Sequence, residues 1–248
     1  MRPGLIIRLV VLALLVAFVV TPQSFAWVFQ PLTQHTQPAI YTQNSLLNLT
    51  LSHLTIVAIA TVIATVIAIG LAVLVTRPFG AEFLPLSRSI ANIGQTFPPV
   101  AVLALAVPVL GFGAAPTLVA LFLYGLLPIF ENALTGLTSL PPTITEAARG
   151  VGMTEGQRLF GIELPLATPV ILAGIRLSVV ISIATATIGS TVAASTLGEV
   201  IIAGLLSNNL AFIAQGGLVV GIMAVLIYDA LSALEGRLMR RTGQSKRA

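Results

Sequence analysis

Few of the residue types that carry catalysis or bind metals occur in this chain. It contains no cysteine, two histidines (His35 and His53) and one lysine, Lys246. Without cysteine there is no disulfide, thiol nucleophile or zinc-binding thiolate. Its apolar stretches lack paired carboxylates and a histidine beside a nucleophile, which intramembrane catalysis would need. A phosphate-binding loop needs Gly-Lys-Ser or Gly-Lys-Thr, and the lysine lies in the tail. We therefore predict a non-enzyme without its own cofactor or metal, and expect His53 to be an interfacial residue.

One polar segment, residues 141–165, has the start signals of two short helices. Thr143 with Glu146, and Thr154 with Gln157, each have the spacing of a capping box. In that motif each of the two side chains accepts a hydrogen bond from the other residue's backbone N–H, which satisfies donors at the helix start.

Two further residues of this segment predict where its helices end. Gly152 stands where a left-handed residue would end the first helix, and Pro165 is expected to bound the second. A folded segment of this length between two spans suggests docking to a soluble partner. Local physics leaves an amphipathic helix lying on the membrane surface as an equal alternative.

One charge falls inside an apolar stretch, where charges are costly and often functional. Arg176 is about 16 Å along a helix from Pro165. Glu131 and Asp229 each lie near the C-terminal end of an apolar stretch. We therefore predict an ion pair from Arg176 to one of them. The alternative is that Arg176 extends its side chain to the membrane surface without a partner.

The composition places the chain in a membrane. Hydrophobic residues make up 56% of it and charged residues 8%, and the mean hydropathy is +1.03. A soluble domain carries about 25% charged residues. Because about 20 apolar residues cross a bilayer as a helix, six apolar stretches predict six transmembrane helices. The stretches are Leu5–Trp27, Leu54–Val75, Ile90–Leu110, Pro116–Leu137, Pro169–Ser190 and Phe212–Leu234.

Basic residues fall on alternate sides of these spans. Eleven of the twelve Lys and Arg residues lie at the termini, between spans two and three, or between spans four and five, and Arg176 lies within span five. The loops near Thr21–Ser52, Gly111–Ala115 and Thr191–Ala211 contain none. The positive-inside rule therefore places both termini and the loop Thr138–Thr168 in the cytoplasm. Topology, rather than nucleic-acid binding, accounts for the isoelectric point near 10.3.

The N-terminal stretch has two interpretations. Arg2 and Arg8, an apolar run and Ser24-Phe25-Ala26 together resemble a cleavable signal peptide. The apolar run is long for a signal peptide, which favours an uncleaved first span. Cleavage would leave five spans in the same orientation.

The polar segment also carries a family pattern: Glu-Ala-Ala, three residues, Gly, nine residues, Ile, one residue, Leu-Pro. It resembles the coupling loop of type I ABC-importer permeases. The resemblance implies an all-α polytopic membrane protein of about six transmembrane helices, with a methionine-permease-like fold and a cytoplasmic coupling helix between spans four and five. In this family that helix sits in a groove of the ATPase subunit, which binds ATP and Mg²⁺. The fixed positions are Glu146, Ala147, Ala148, Gly152, Ile162, Leu164 and Pro165.

Three other segments resemble the osmoprotectant subfamily: Thr76–Phe83, Ile93–Ala101 and Leu164–Arg176. The resemblance implies an inner-membrane permease that imports glycine betaine or a related quaternary amine. It runs from about Leu46 to Glu235. The predicted regions are an N-terminal helix and outer loop (1–45), the ABC transmembrane domain (46–235) and a basic cytoplasmic tail (236–248).

The resemblance also implies partners. These are ATPase subunits, a second permease and a separate periplasmic substrate-binding protein. The nearest subfamily favours a heterodimer of permeases, with a homodimer as the alternative. The sequence leaves two alternative functions. One is a permease of the same fold for another small solute, such as an amino acid, and the other is an ion-coupled secondary transporter. The last would need mid-membrane carboxylates and an internal repeat, and the sequence shows neither.

Aromatic faces usually bind quaternary ammonium ions. The chain has one tryptophan, Trp27, and three tyrosines, Tyr41, Tyr124 and Tyr228, which are scattered along the sequence. They predict no aromatic cage, so we expect cargo selectivity to lie in the binding protein. Trp27 and Tyr41 are typical of an aromatic belt at the outer interface. Glu199 is expected to be a solvated charge of an outer loop.

Overall fold

The computed structural model describes residues 3–34 and 37–241, and every secondary-structure element in that part of the chain is helical. Residues 242–248 of the predicted basic tail lie outside the described residues, as do Arg2 and His35. The α-helices of the described residues are α1 Pro3–Val20, α2 Ala26–Phe29, α3 Leu46–Val75, α4 Leu84–Thr96, α5 Pro99–Leu110, α6 Ala114–Thr138, α7 Pro142–Gly150, α8 Glu155–Arg158, α9 Leu164–Ala186, α10 Gly198–Leu206 and α11 Leu210–Arg241.

Four helical segments are long and apolar enough to cross a membrane by themselves. They are α3, α6, the continuous stretch Glu155–Val192 that contains α8 and α9, and α11. Two pairs of shorter helices meet the same criterion only together, namely Gly4–Val20 with Pro22–Leu32, and Ala81–Thr96 with Pro99–Leu110. The described residues therefore supply four spans, or up to six if each pair forms one span. The six predicted spans correspond to the upper number.

The first and third predicted spans are not continuous helices, and both break at proline. Phe97 and Pro98 adopt extended backbone angles, with ψ of 141° and 143°. A residue that precedes proline avoids the helical region. Phe97 precedes Pro98, and Pro98 itself precedes Pro99. Thr21 also leaves the helical region, with φ −128° and ψ 62°, directly before Pro22.

The internal contacts of the chain divide it into two compact units. Unit 1 consists of residues 1–60, 98–121 and 180–227, and unit 2 consists of residues 61–97, 122–179 and 228–248. Helices α3, α6, α9 and α11 each contribute residues to both units.

The core of unit 2 depends on small side chains. Ala64, Ala68 and Ala72 recur every four residues along one face of α3, and each is 0% exposed. They pack in one apolar cluster with α6 and α9 residues. Where α9 meets α6, a Cβ atom on Gly174 would lie 2.6 Å from Cβ of Asn132. Small residues permit this close approach, which van der Waals packing rewards where lipid gives no hydrophobic drive.

In unit 1, side-chain amides of α11 and of the turn before it hold residues 37–41. The Gln215 Nε2 donates to the carbonyl of Ala39 at 2.7 Å, and its Oε1 accepts from the N–H of Tyr41 at 3.2 Å. The Asn209 Nδ2 donates to the carbonyl of Pro38 at 2.9 Å. These bonds fix the position of Tyr41.

His53 is also part of unit 1, and the expectation of an interfacial residue is wrong. The side chain is fully buried. Its Nδ1 accepts a hydrogen bond from the N–H of Leu197 at 3.3 Å, and its Nε2 lies 3.0 Å from the carbonyl of Ile183. Because a backbone N–H can only donate, the ring proton must be on Nε2. His53 thus joins α3 to the end of α9 and the turn before α10.

Candidate functional site

The first helix of the polar segment, α7, starts earlier than its predicted capping box. Pro141 is the N-cap residue, Pro142 is the first helical residue, and no side chain caps this end. The predicted pair of Thr143 and Glu146 is therefore wrong. Proline fixes a helical φ and needs no N–H partner at the first helical position, so the helix begins before Thr143 can cap it.

The predicted end of α7 at Gly152 is confirmed. Gly152 has a φ of +79°, in the left-handed region. Its N–H donates to the carbonyl of Arg149 at 2.9 Å, and the N–H of Met153 donates to the carbonyl of Ala148 at 3.1 Å. These two bonds form a Schellman motif, which satisfies the last carbonyls of a helix and reverses the chain.

The second predicted capping box is present. The N–H of Gln157 donates to Oγ1 of Thr154 at 3.3 Å, and the N–H of Thr154 donates to Oε1 of Gln157 at 2.8 Å. Because Gly152 ends one helix and Thr154 caps the next, the segment folds into two helices joined by a tight turn.

Pro165 does not bound the second helix, which corrects the prediction. Helix α8 passes through a π-helical turn, Leu159–Glu163, directly into α9. Proline is tolerated in the first turn of a helix but collides with the carbonyl four residues before it in a regular helix. The wider π turn precedes Pro165 and relieves that collision, so the chain stays helical.

An ion triad fastens this segment to the residues that follow α3. The Glu163 carboxylate accepts from Nε of Arg158 at 2.7 Å and from Nη2 of Arg77. The side chains of Arg77, Arg158 and Glu163 are only 10%, 7% and 8% exposed. Sequence reasoning missed the triad because Glu163 falls at a free position of the family pattern, and Arg77 is 86 residues away. The available signal was the charge of Arg77 inside the resembling segment Thr76–Phe83, together with Arg158 and Glu163 inside the polar segment 141–165.

A cavity of about 330 Å³ lies next to the triad. Its lining residues include Thr145 and Arg149 of α7 as well as Arg77 and Pro78, which follow α3. The triad and cavity place α7 beside the turn that follows α3, within unit 2.

The family positions differ in accessibility. Glu146, Ala147, Gly152 and Pro165 are exposed, Ala148 is buried, and Ile162 and Leu164 are half-buried. Two large apolar side chains flank the exposed positions, since Val151 is 78% and Phe160 74% exposed. The segment thus presents Glu146, Arg149 and two large apolar side chains from a base that the ion triad holds.

Arg176 is paired, but with a carboxylate that the sequence prediction did not name. Its Nη1 lies 2.7 Å from Oε2 of Glu235, and its guanidinium lies 4.7 Å from the centre of the Tyr228 ring. Tyr228 and Glu235 are two turns apart on one face of α11. Glu131 instead pairs with Arg88 at 2.8 Å. Because α11 continues to Arg241, Glu235 remains helical and within reach.

In unit 1, Tyr41 is not a belt residue, and Glu199 is not a free loop charge. Tyr41 is 2% exposed, and its hydroxyl donates to Oε1 of Glu199 at 2.7 Å. Burial raises the pKa of Tyr41 most, and the neighbouring Glu199 carboxylate raises it further. The phenol therefore keeps its proton and remains a hydrogen-bond donor. The ring of Phe212 packs edge-on against Tyr41, with centroids 5.4 Å apart.

The chain is similar to known transport proteins. Residues 68–244 match the family described as "Binding-protein-dependent transport system inner membrane component". The osmoprotectant import permease protein OsmY of Salmonella typhimurium is 42% identical over 79% of this chain and 82% of its own length. The choline transport system permease protein OpuBB of Bacillus subtilis is 39% identical over 78% of this chain and 88% of its own.

A solved structure has the same fold. A chain of the inward-facing MetNI methionine ABC transporter superposes with a TM-score of 0.70, at 21% identity, over 78% of this chain and 95% of the other. The prediction of a type I permease fold is thereby confirmed, as is that of a transport subunit rather than an enzyme. This chain belongs to the family of inner-membrane permease components of binding-protein-dependent ABC transport systems.

Proposed function

We propose that this chain carries a quaternary-ammonium osmoprotectant, such as glycine betaine or choline, through the inner membrane. The observation that supports this cargo is the 42% and 39% identity to relatives named for osmoprotectant import and choline transport. The resemblance in fold to the methionine transporter, at 21% identity, does not extend to its cargo.

In this proposal, α7 is the contact through which the ATPase drives transport. Its exposed residues Glu146 and Ala147, with Val151 and Phe160 beside them, would occupy a groove of a separate ATPase that binds ATP and Mg²⁺. The buried triad of Arg77, Arg158 and Glu163 supports this role, because a surface that receives force needs a rigid base. Closure of the ATPases would then favour one of two permease conformations, and a ligand shifts such an equilibrium only by its preference for one of them.

The proposed assembly has two permeases, with a heterodimer favoured, two ATPase subunits and a periplasmic binding protein. Both termini and α7 would face the cytoplasm, since the loops assigned to that side hold eleven of the twelve Lys and Arg residues. The transmembrane domain would comprise residues 46–235, between a helix with its outer loop (1–45) and the basic tail (236–248).

Uptake of radiolabelled glycine betaine tests the cargo. Membrane vesicles that contain this chain and its partner subunits should accumulate the label when ATP and the binding protein are supplied. Excess unlabelled choline should reduce the uptake, and methionine should not, because only choline shares the trimethylammonium group. Competition by methionine, with none by choline, would contradict the proposed cargo and favour an amino-acid permease.

A further inference from the structure

A cavity of about 590 Å³ lies in unit 1, between residues 37–43 and helix α10. This volume is within the range of small-molecule sites, about 300–1,000 Å³. Its wall contains one carboxylate, one phenol and, besides Pro38, four apolar side chains. They are Glu199, Tyr41, Ile202, Ala203, Leu206 and Phe212.

Glu199 gives this cavity an uncompensated negative charge. The loops near 21–52, 111–115 and 191–211 contain no Lys or Arg, and Glu199 is their only acidic residue. Among the described residues, Tyr41 alone donates a side-chain hydrogen bond to the carboxylate, and it does so at Oε1. The other oxygen, Oε2, accepts no hydrogen bond from the described residues.

The polar side chains around the cavity are largely engaged elsewhere. Gln37 Nε2 donates to the carbonyl of Ser207 at 2.9 Å, and Asn209 Nδ2 donates to that of Pro38 at 2.9 Å. Ser190 Oγ lies 2.7 Å from the hydroxyl of Thr196. Gln43 also lines the cavity, and its side-chain amide has no hydrogen-bond partner among the described residues. The cavity therefore offers a carboxylate, an apolar wall and one free amide.

That combination selects among cations. A primary ammonium carries three N–H donors that each need an acceptor when they leave water. A quaternary ammonium has no such donor, and its methyl groups need apolar neighbours. We propose that the cavity of Glu199 and Tyr41 is a reception site for the quaternary ammonium group of the cargo. This inference rests on the proposed function for the cargo class and adds a binding site within the permease.

Titration of the purified transporter with tetramethylammonium chloride tests the site. We expect isothermal titration calorimetry to detect binding, and E199Q to weaken it by about tenfold or more, because the charge attraction is lost. Glutamine can still accept from Tyr41, so the fold should be retained. E82Q removes an exposed carboxylate outside the cavity and should leave binding unchanged.

A second variant distinguishes the cavity from the charge alone. A203L keeps Glu199 and adds volume to the wall, so it should also weaken tetramethylammonium binding. The melting temperature of each purified variant should stay close to that of the wild type. Unchanged affinity in both folded variants would overturn the proposal.

Methylammonium distinguishes the cargo from a cationic side chain of a docking protein. Tetramethylammonium should bind more tightly than methylammonium. If methylammonium binds equally well or better, the cavity is suited to a lysine side chain, and the proposal is wrong. Uptake of glycine betaine by wild-type vesicles without tetramethylammonium binding would reject the site alone, whereas absence of that uptake would reject the proposed cargo.

Discussion

Glu163 stands between two fixed positions of the family pattern, at a place that the pattern leaves open. It is nevertheless one of three buried charged residues among those described, with Arg77 and Arg158. Two guanidinium groups share its carboxylate. Burial of a charge is tolerable only when it is paired and hydrogen-bonded, so each member of this triad depends on the others.

Substitution of Glu163 should therefore destabilise the protein strongly. E163Q would leave two buried guanidinium groups without a counter-charge, and loss of one partner from a buried pair costs about 3–5 kcal/mol. Thermal unfolding of the purified transporter in detergent should show a large fall in melting temperature. E155Q removes an exposed carboxylate from the same segment and should cost less than about 1 kcal/mol. Equal melting temperatures for the two variants would contradict a structural triad.

Residue contacts were predictable from sequence only where they are local. Thr154 and Gln157 are three positions apart, and their capping box is confirmed. The same pattern at Thr143 is wrong because Pro142 starts the helix first. The partner of Arg176 lies 59 residues further along the chain, and no local rule distinguishes Glu235 from Asp229. Tyr41 and Glu199 are likewise 158 residues apart.

At the scale of helices, the turn between α7 and α8 is the feature closest to the proposed contact with the ATPase. Gly152 closes α7 in a conformation that residues with a Cβ adopt at a cost of about 1 kcal/mol. The same turn determines the direction in which α7 projects. Strain there should affect coupling more than overall stability.

G152A tests this turn, with G156A as the matched control. A Cβ at either glycine meets no neighbouring atom within 4 Å, so only the positive φ of Gly152 separates the two sites. We expect G152A to lower glycine betaine uptake per ATP hydrolysed several-fold, with the variant still inserted in the membrane. G156A should behave as the wild type. Uptake and phosphate release are measured in parallel for each variant. An equal ratio of uptake to phosphate release in the two variants would contradict a coupling role for Gly152.

The helical type of the spans followed from the length and composition of the apolar stretches, whereas the continuity of each helix did not. The double proline at Pro98 and Pro99 breaks a stretch that hydropathy alone presents as one span. Pro165 has the opposite outcome, because a π turn absorbs it. Proline signals a possible break in each case, and the neighbouring backbone decides whether one occurs.

At the scale of the whole molecule, the distribution of basic residues determines the proposed orientation. The absence of cysteine makes this orientation directly measurable. Ser207 follows α10 and Gly156 lies in α8, and both are exposed. The two residues belong to loops assigned to opposite sides of the membrane.

Single-cysteine variants should therefore differ in labelling from outside. In cells with a permeabilised outer membrane, S207C should react with a membrane-impermeant maleimide. G156C should react only after the inner membrane is disrupted, because its loop is assigned to the cytoplasm. The cysteine-free wild type controls for background. Labelling of G156C in intact spheroplasts would contradict the proposed orientation and indicate the opposite one.

The π turn Leu159–Glu163 also sets the rotational phase of the helix that follows it. Each residue of an α-helix advances about 100° around the axis, and a π turn places one extra residue within a single hydrogen-bonded turn. Deletion of one residue there would leave the helix unbroken but would rotate its two parts relative to each other by about 100°. Arg158 precedes the turn, whereas Glu163 and Arg176 lie at or after its end. If α9 stayed in place, with Arg176 against Tyr228 and Glu235, Arg158 would then no longer face Glu163. This turn thus acts as an angular spacer: its length allows Arg158 to reach Glu163 while Arg176, on the helix that follows, faces Glu235.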